Sequence, residues 1–168
     1  MNRHVTVLVV LVLALSALAC STRREASARP VVAQAAGQEE PPPPEDPSDV
    51  HLEGDHVTID ERIRFALNSD EILGESSTIL DHLAQFLNNH VAEVPALQVI
   101  GHTDTQGNAR SNQDLSERRA AAVVRALQER GVQQRLEPLG RGQTQLLCQE
   151  TTEDCHRQNR RVEFLVVQ

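Results

Sequence analysis

Lysine, tryptophan and tyrosine are absent from the 168 residues of this chain, and its aromatic rings are limited to Phe65, Phe86 and Phe164. With no amine side chain, a Schiff-base or low-pKa lysine mechanism is excluded. With so few rings, base-stacking platforms and aromatic shelves for sugars are excluded as well. Basic residues are also scarce: 16 against 24 acidic ones, a net charge of -8 that argues against nucleic acid as a partner. The length leaves room for one ordinary domain with appendages. Cysteine occurs three times, an odd number that needs an explanation.

What is present begins with an address. Residues 1–4 carry Arg3, and 5–19 are apolar or small at every position except Thr6 and Ser16. This is the basic n-region and apolar h-region of an export signal. The run is shorter than the roughly 20 residues that span a bilayer as a helix. It ends Ala17-Leu18-Ala19-Cys20. Ala17-x-Ala19 fits ordinary cleavage, which gives a soluble secreted chain. A cysteine directly after the cut resembles the lipobox of bacterial lipoproteins, in which that thiol is acylated. A lipobox usually has Leu three places before the Cys and a small residue two before; here Ala17 and Leu18 stand in swapped order. Lipidation accounts for Cys20, otherwise a stray thiol outside the cytosol. The resemblance also implies that Ser21, in place of Asp, sorts the chain to the outer membrane. Residues 1–19 are thus expected to be a cleaved signal, and Cys20 a lipid anchor holding a periplasm-facing domain.

Cys148 and Cys155 remain, and in an oxidising compartment they are expected to form a disulfide. A ring so small contributes about 2–3 kcal/mol by loop entropy. The other reading is a metal or redox pair with His156 adjacent, but the spacing is not Cys-x-x-Cys and no second pair exists.

Between anchor and domain, residues 20–54 are rich in Ala, Gln and Glu and include Pro41-Pro42-Pro43-Pro44. Such a composition has little to bury and is expected to form a disordered, partly polyproline tether. It reaches about 100 Å extended or about 30 Å as a coil. Residues 55–168 then form one domain. Val57, Ile59, Ile63, Phe65 and Leu67 alternate as a half-buried strand or strand pair. Ile79, Leu80, Leu83, Phe86 and Leu87 share a helical face behind a Ser76 or Ser77 cap. After Pro95, Leu97–Ile100 reads as a buried strand. A second helix is expected from 112 to 130, with Asp114 and Glu117 in its first turns and Gly131 at its stop. Leu136–Leu139 and 160–167 read as strands, the latter alternating Arg161, Glu163 and Leu165 against Val162, Phe164 and Val166. The expected fold is α+β in the order βαβαββ, two helices covering one face of a small mixed sheet.

The chemistry concentrates where the polar loop Gly101-His102-Thr103-Asp104 leaves a buried strand and feeds a helix, a common ligand position in layered folds. Asp104 lies in the loop and Arg119 about two turns into the helix; Asn159-Arg160-Arg161 enters the last strand. A carboxylate and a guanidinium beside one pocket can grip a zwitterion. On spacing alone, Asp104 could equally pair with Arg119 or cap its own loop.

Gly101-His102-Thr103-Asp104, Asn112-x-x-Leu115-Ser116-x-x-Arg119-Ala120 and Asn159-Arg160-Arg161-Val162-Glu163 together resemble the OmpA-like peptidoglycan-binding domain. The resemblance covers residues 57–167. With the lipidation signal, it extends to the peptidoglycan-associated lipoproteins of that family. It implies non-covalent binding of the peptidoglycan stem peptide through the zwitterionic end of diaminopimelate, with no cofactor. Asp104 then takes the ammonium and Arg119 the carboxylate, while Asn112 shapes the pocket. Arg161 lines the far side, and Asn68 contributes from the loop after the first strand. The function implied is a tie between outer membrane and cell wall, strengthened by avidity.

Three other classes compete. Asp104, Asp114 and Glu117 could serve glycoside hydrolysis, but acidic residues early in a helix suit its dipole, and no nucleophile with its base is evident; no enzyme is expected. The histidines are scattered, and His102-x-Asp104 in the loop is too little for a site, so no metal is expected. A module that docks envelope proteins, such as periplasmic partners of the Tol type, is the strongest rival.

Overall fold

The sheet starts inside the stretch read as tether. Val50–Glu53 (β1) pairs antiparallel with His56–Ile59 (β2), in register from Val50↔Ile59 to Glu53↔His56. Gly54 takes the first place of the two-residue turn at φ 66°, a conformation that suits glycine and matches strand twist. Even earlier residues are held against the first helix, Ser77–Asn89 (α1). His82 Nδ1 lies 2.8 Å from Asp49 Oδ2, and His90 Nε2 lies 2.6 Å from Asp46 Oδ2. Asn89 Nδ2 donates to Asp46 Oδ1 and Gln85 Nε2 to the Glu45 carbonyl. The folded part therefore begins well before the expected boundary at 54/55. The computed structural model describes residues 45–168. The signal segment 1–19, Cys20 and most of the tether lie outside the described residues.

Three further strands complete the sheet: Ala96–His102 (β3), Arg135–Gly142 (β4) and Val162–Val167 (β5). Their order is β1-β2-β5-β3-β4, with β3 and β4 parallel and β5 antiparallel to both of its neighbours. The mixed α+β class holds. Two helices account for the apolar face: α1 and Ala109–Glu129 (α2). Leu80, Leu83 and Leu87 of α1 join Val123 and Leu127 of α2, Leu97 and Val99 of β3 and Phe164 of β5 in one core. Burying side chains of this size stabilises the domain by about 1.5–3 kcal/mol each, against the entropy of ordering them.

The second helix lies unusually close to the sheet. A Cβ on Gly101 would sit 2.2 Å from the Ser116 carbonyl oxygen, and one on Gly140 2.7 Å from the Glu117 nitrogen. Two facing glycines let α2 settle onto β3 and β4 here, and no larger residue fits. The helix begins at Ala109, capped by Asn108, whose Oδ1 accepts from Ser111 N at 2.8 Å. With that start, Asp114 and Glu117 fall beyond the first turn.

Other expectations are revised by local chemistry. Ser76 precedes α1 but its hydroxyl accepts from Arg64 N at 2.8 Å instead of capping the helix. Ile63 and Phe65 do not continue β2. They belong to an irregular segment in which only Phe65↔Ile72 forms a bridge, and Leu67 at its tip is 91% exposed. A third helix, Glu153–Asn159 (α3), separates β4 from β5. Cys148 and Cys155 are joined by a disulfide.

Candidate functional site

Parallel strands β3 and β4 end side by side, and the chain leaving β3 runs into the start of α2. A register shift between Gly101 and His102 marks the change of direction. Thr103 N then donates to the Gly142 carbonyl and His102 N to that of Arg161, so the loop is pinned by both neighbours. Asn112, buried on α2, holds it from above. Its Nδ2 donates to the carbonyls of Asp104 (3.2 Å) and Gln106 (2.9 Å) and to Gln143 Oε1 (2.7 Å). Asn112 thus braces the loop that carries Asp104.

Asp104 is 6% exposed. Its Oδ1 accepts from Gln106 N at 3.0 Å, an Asx-type turn, and its Oδ2 accepts from Arg160 Nη1 at 2.7 Å. Arg119 is 8% exposed, rising from α2 beside it. Its guanidinium lies over the Phe65 ring, 4.9 Å from the centroid, and Nε donates to the Ser69 carbonyl at 2.9 Å. Burial, and then repulsion from Arg160, push its pKa below the ordinary arginine value while Asp104 opposes them. It stays protonated at neutral pH. Among the described residues no carboxylate forms an ion pair with Arg119. Asp104 and Arg119 therefore do not neutralise one another: the partner of Asp104 is Arg160, and Arg119 keeps an uncommitted charge.

The turn 66–69 contributes through its backbone. Asn68 is exposed, with φ 54°, and Ser69, whose carbonyl meets Arg119, is the residue in contact. Asn68 therefore stands at the lip and not against the guanidinium. Asp70 sits further along α2, 3.7 Å from Arg118 and 3.8 Å from Arg125.

Arg161 is placed differently from the expectation. Both its Nε and Nη2 lie 2.7 Å from Glu163 Oε1, and Nη1 donates to the Gln145 carbonyl. Consecutive side chains of an extended segment point to opposite sides. Val162, Phe164 and Val166 face the helices, so Glu163 and its partner Arg161 face away from them. The cation that meets Asp104 is Arg160. Sequence reading missed it, together with Phe65 and Ser69.

Behind this site lies a buried histidine. His102 is 1% exposed; neither ring nitrogen has a hydrogen-bond partner, although Nε2 lies 3.4 Å from Glu163 Oε2. Burial, and then the charge of Arg161, depress its pKa, with Glu163 opposing. Among the described residues no three His, Cys, Asp or Glu side chains converge to hold a metal. None of the described helices is long and apolar enough to cross a membrane.

Comparison with known proteins matches this architecture. The chain is 30% identical over 115 residues to the outer-membrane lipoprotein YfiB of Pseudomonas aeruginosa, covering 68% of this chain and 67% of that one. It is 35% identical over 106 residues to the peptidoglycan-associated lipoprotein of Mesorhizobium japonicum, 62% of each. The crystal structure of the peptidoglycan-associated lipoprotein from Burkholderia pseudomallei superposes with a TM-score of 0.57 at 28% identity, covering 64% of this chain and 91% of that one. Across its curated relatives the chain spans from 13% to 67% of their length. The sequence profile of the OmpA family matches residues 64–160, from the segment that carries Phe65 and Ser69 to the arginine on Asp104. That match takes in the loop, helix and turn that build the site, and the chain belongs to the OmpA family.

Proposed function

We propose that the cleft between the Asp104 loop, α2 and the 66–69 turn binds the zwitterionic end of diaminopimelate in the peptidoglycan stem peptide, without catalysis. On this reading the mature chain, anchored in the outer membrane through Cys20, ties that membrane to the cell wall. The observation that carries it is Arg119: a guanidinium buried, stacked on Phe65 and aimed by Ser69, yet lacking a carboxylate of its own among the described residues. A ligand carboxylate supplies the missing charge, with planar, bidentate geometry available. Asp104, whose two oxygens each already accept one bond, retains lone pairs for the ligand ammonium beside it. The names of two relatives, one an outer-membrane lipoprotein and one a peptidoglycan-associated lipoprotein, support the same reading. One small zwitterion gives modest affinity, and many copies facing a continuous wall hold by avidity.

Sedimentation with purified peptidoglycan tests this. The chain without residues 1–20 is expected to pellet with diaminopimelate walls and to stay in solution with lysine-containing ones. Arg119→Ala and Asp104→Ala are each expected to weaken binding at least about tenfold, the loss of one charge-assisted contact. Equal pelleting by folded variants would overturn the clamp. The chain would then be better read as docking envelope proteins, periplasmic Tol-type partners among them, for which the exposed Leu67 beside the cleft offers a contact.

A further inference from the structure

Arg160 joins Asp104 to Glu153, with Arg119 close enough to feel both Arg160 and Asp104, and the formal charges of the four cancel. Glu153 plays no part in the reading above. It opens α3, and its Oε1 accepts from Arg160 Nη2 while Arg160 Nη1 donates to Asp104 Oδ2 at 2.7 Å. One guanidinium thus bridges two carboxylates that come from different segments. The inner one, Asp104, is 9% exposed at its side chain, and the outer one, Glu153, is 63% exposed. Burial works against the charge on Arg160, but its bonds to Glu153 and Asp104 outweigh that and raise its pKa.

Glu153 is held in place by the structure around α3. At seven residues, α3 is far too short to persist by itself. Thr152 caps it, its hydroxyl accepting from Cys155 N at 3.3 Å. Cys155 is tied to Cys148 by the disulfide. At the far end Asn159 accepts from Leu147 N (2.9 Å) and Cys148 N (3.2 Å) and donates to the Cys148 carbonyl (2.8 Å). Staple and asparagine together fix both ends of the turn that presents Glu153 to Arg160.

We propose that Glu153, presented by the disulfide-stapled α3, is a specificity-determining residue: it balances the charge of the cleft so that a zwitterion is preferred over a plain carboxylate. The inference rests on the diaminopimelate reading and adds to it. Without Glu153 two effects act in one direction. Among the described residues Arg160 is left with Asp104 as its only carboxylate, and it competes harder with a ligand ammonium for it. An arriving carboxylate meets one more uncancelled cation. Affinity moves away from zwitterions and toward bare carboxylates.

Competition separates these outcomes. The full chain, kept soluble in a nonionic detergent, is bound to diaminopimelate-containing walls. It is then displaced with free meso-diaminopimelate or with pimelate, the same dicarboxylate lacking both amines. The quantity read is the ratio of the two half-displacing concentrations. Wild type is expected to favour diaminopimelate, and Glu153→Gln to reduce that preference about threefold, the scale of an exposed ion pair. Glu153→Asp is expected to restore it in part. A Cys148→Ser/Cys155→Ser chain is expected to shift the ratio in the same direction as Glu153→Gln. Loss of overall binding with an unchanged ratio would make Glu153 merely structural and overturn the proposal, as would an unchanged ratio in a Glu153→Gln chain that binds normally. A wild type that never pellets would instead bring down the diaminopimelate reading, and this inference with it.

Discussion

Arg160 and Arg161 are neighbours in the chain and belong to different chemistries. Arg160 bridges Asp104 and Glu153. Arg161 is committed to Glu163, above the buried His102. In the first cluster Arg119 has no ion pair of its own among the described residues; in the second, Arg161 is paired with Glu163. Burial works against the Glu163 carboxyl, yet Arg161 and His102 hold it below the usual range. Arg160 is the C-cap of α3, while Arg161 leads into the alternating run of β5, so the two side chains leave the chain in different local structure.

Three experiments would break or sharpen this contrast. The largest effect is expected from Gly101→Ala, which drives a methyl into the Ser116 carbonyl and lifts α2 from β3. Overpacking of this kind destabilises by about 1–3 kcal/mol, read by urea denaturation. It is expected to disturb the cleft cluster, which α2 carries, more than the Glu163 cluster. Next, Arg161→Ala leaves Glu163 without both arginine donors. A loss of about 1–2 kcal/mol in stability is expected, given partial exposure, with wall binding changed less than about twofold. Large loss of binding in a folded Arg161→Ala chain would erase the distinction drawn between the two arginines.

The smallest effect concerns pH. His102 has a folded pKa below its unfolded value, so the unfolded state takes up protons first as pH falls. Its contribution to stability is complete above about 6.5 and is lost as pH descends through the depressed folded value. Asp46 and Glu163, both held low, lose theirs only below the ordinary carboxylate range. Denaturation midpoints are therefore expected to fall between pH 7 and 5 in wild type, and to fall less in His102→Gln. Identical profiles would remove the buried imidazole from the account.

Much of this arrangement was legible in the residues. The apolar periodicity of 79–87 and the run at 97–100 announced α1 and β3, because both bury a continuous face. The Gly-His-Thr-Asp loop and Arg119 stood out by motif, and the fold brings them together. The turn that joins β1 to β2 had a signal, Gly54-Asp55, hidden by the tether-like composition before it. The last helix had almost none: Glu153–Asn159 has no apolar stripe, and a disulfide, a threonine cap and one asparagine hold it. The choice between Arg160 and Arg161 could have been made in advance. Val162 and Phe164 face the core, so strand alternation already set Arg161 on the side of Glu163. The Phe65 and Ser69 contacts could not, since they depend on how an irregular segment folds over α2.

The fastening of residues 45–49 to the end of α1 has a mechanical meaning. Asp46 is bound at Asn89 and His90, just before the chain turns into the first residue of β3, whereas the cleft opens beyond the last. Between the two ends of β3 lies about 20 Å at the usual rise. On the proposed reading, tension applied at residue 45 and resisted at Asp104 runs lengthwise through the sheet. It loads the hydrogen bonds of β3 to β4 and β5 in shear, so that many yield together or not at all.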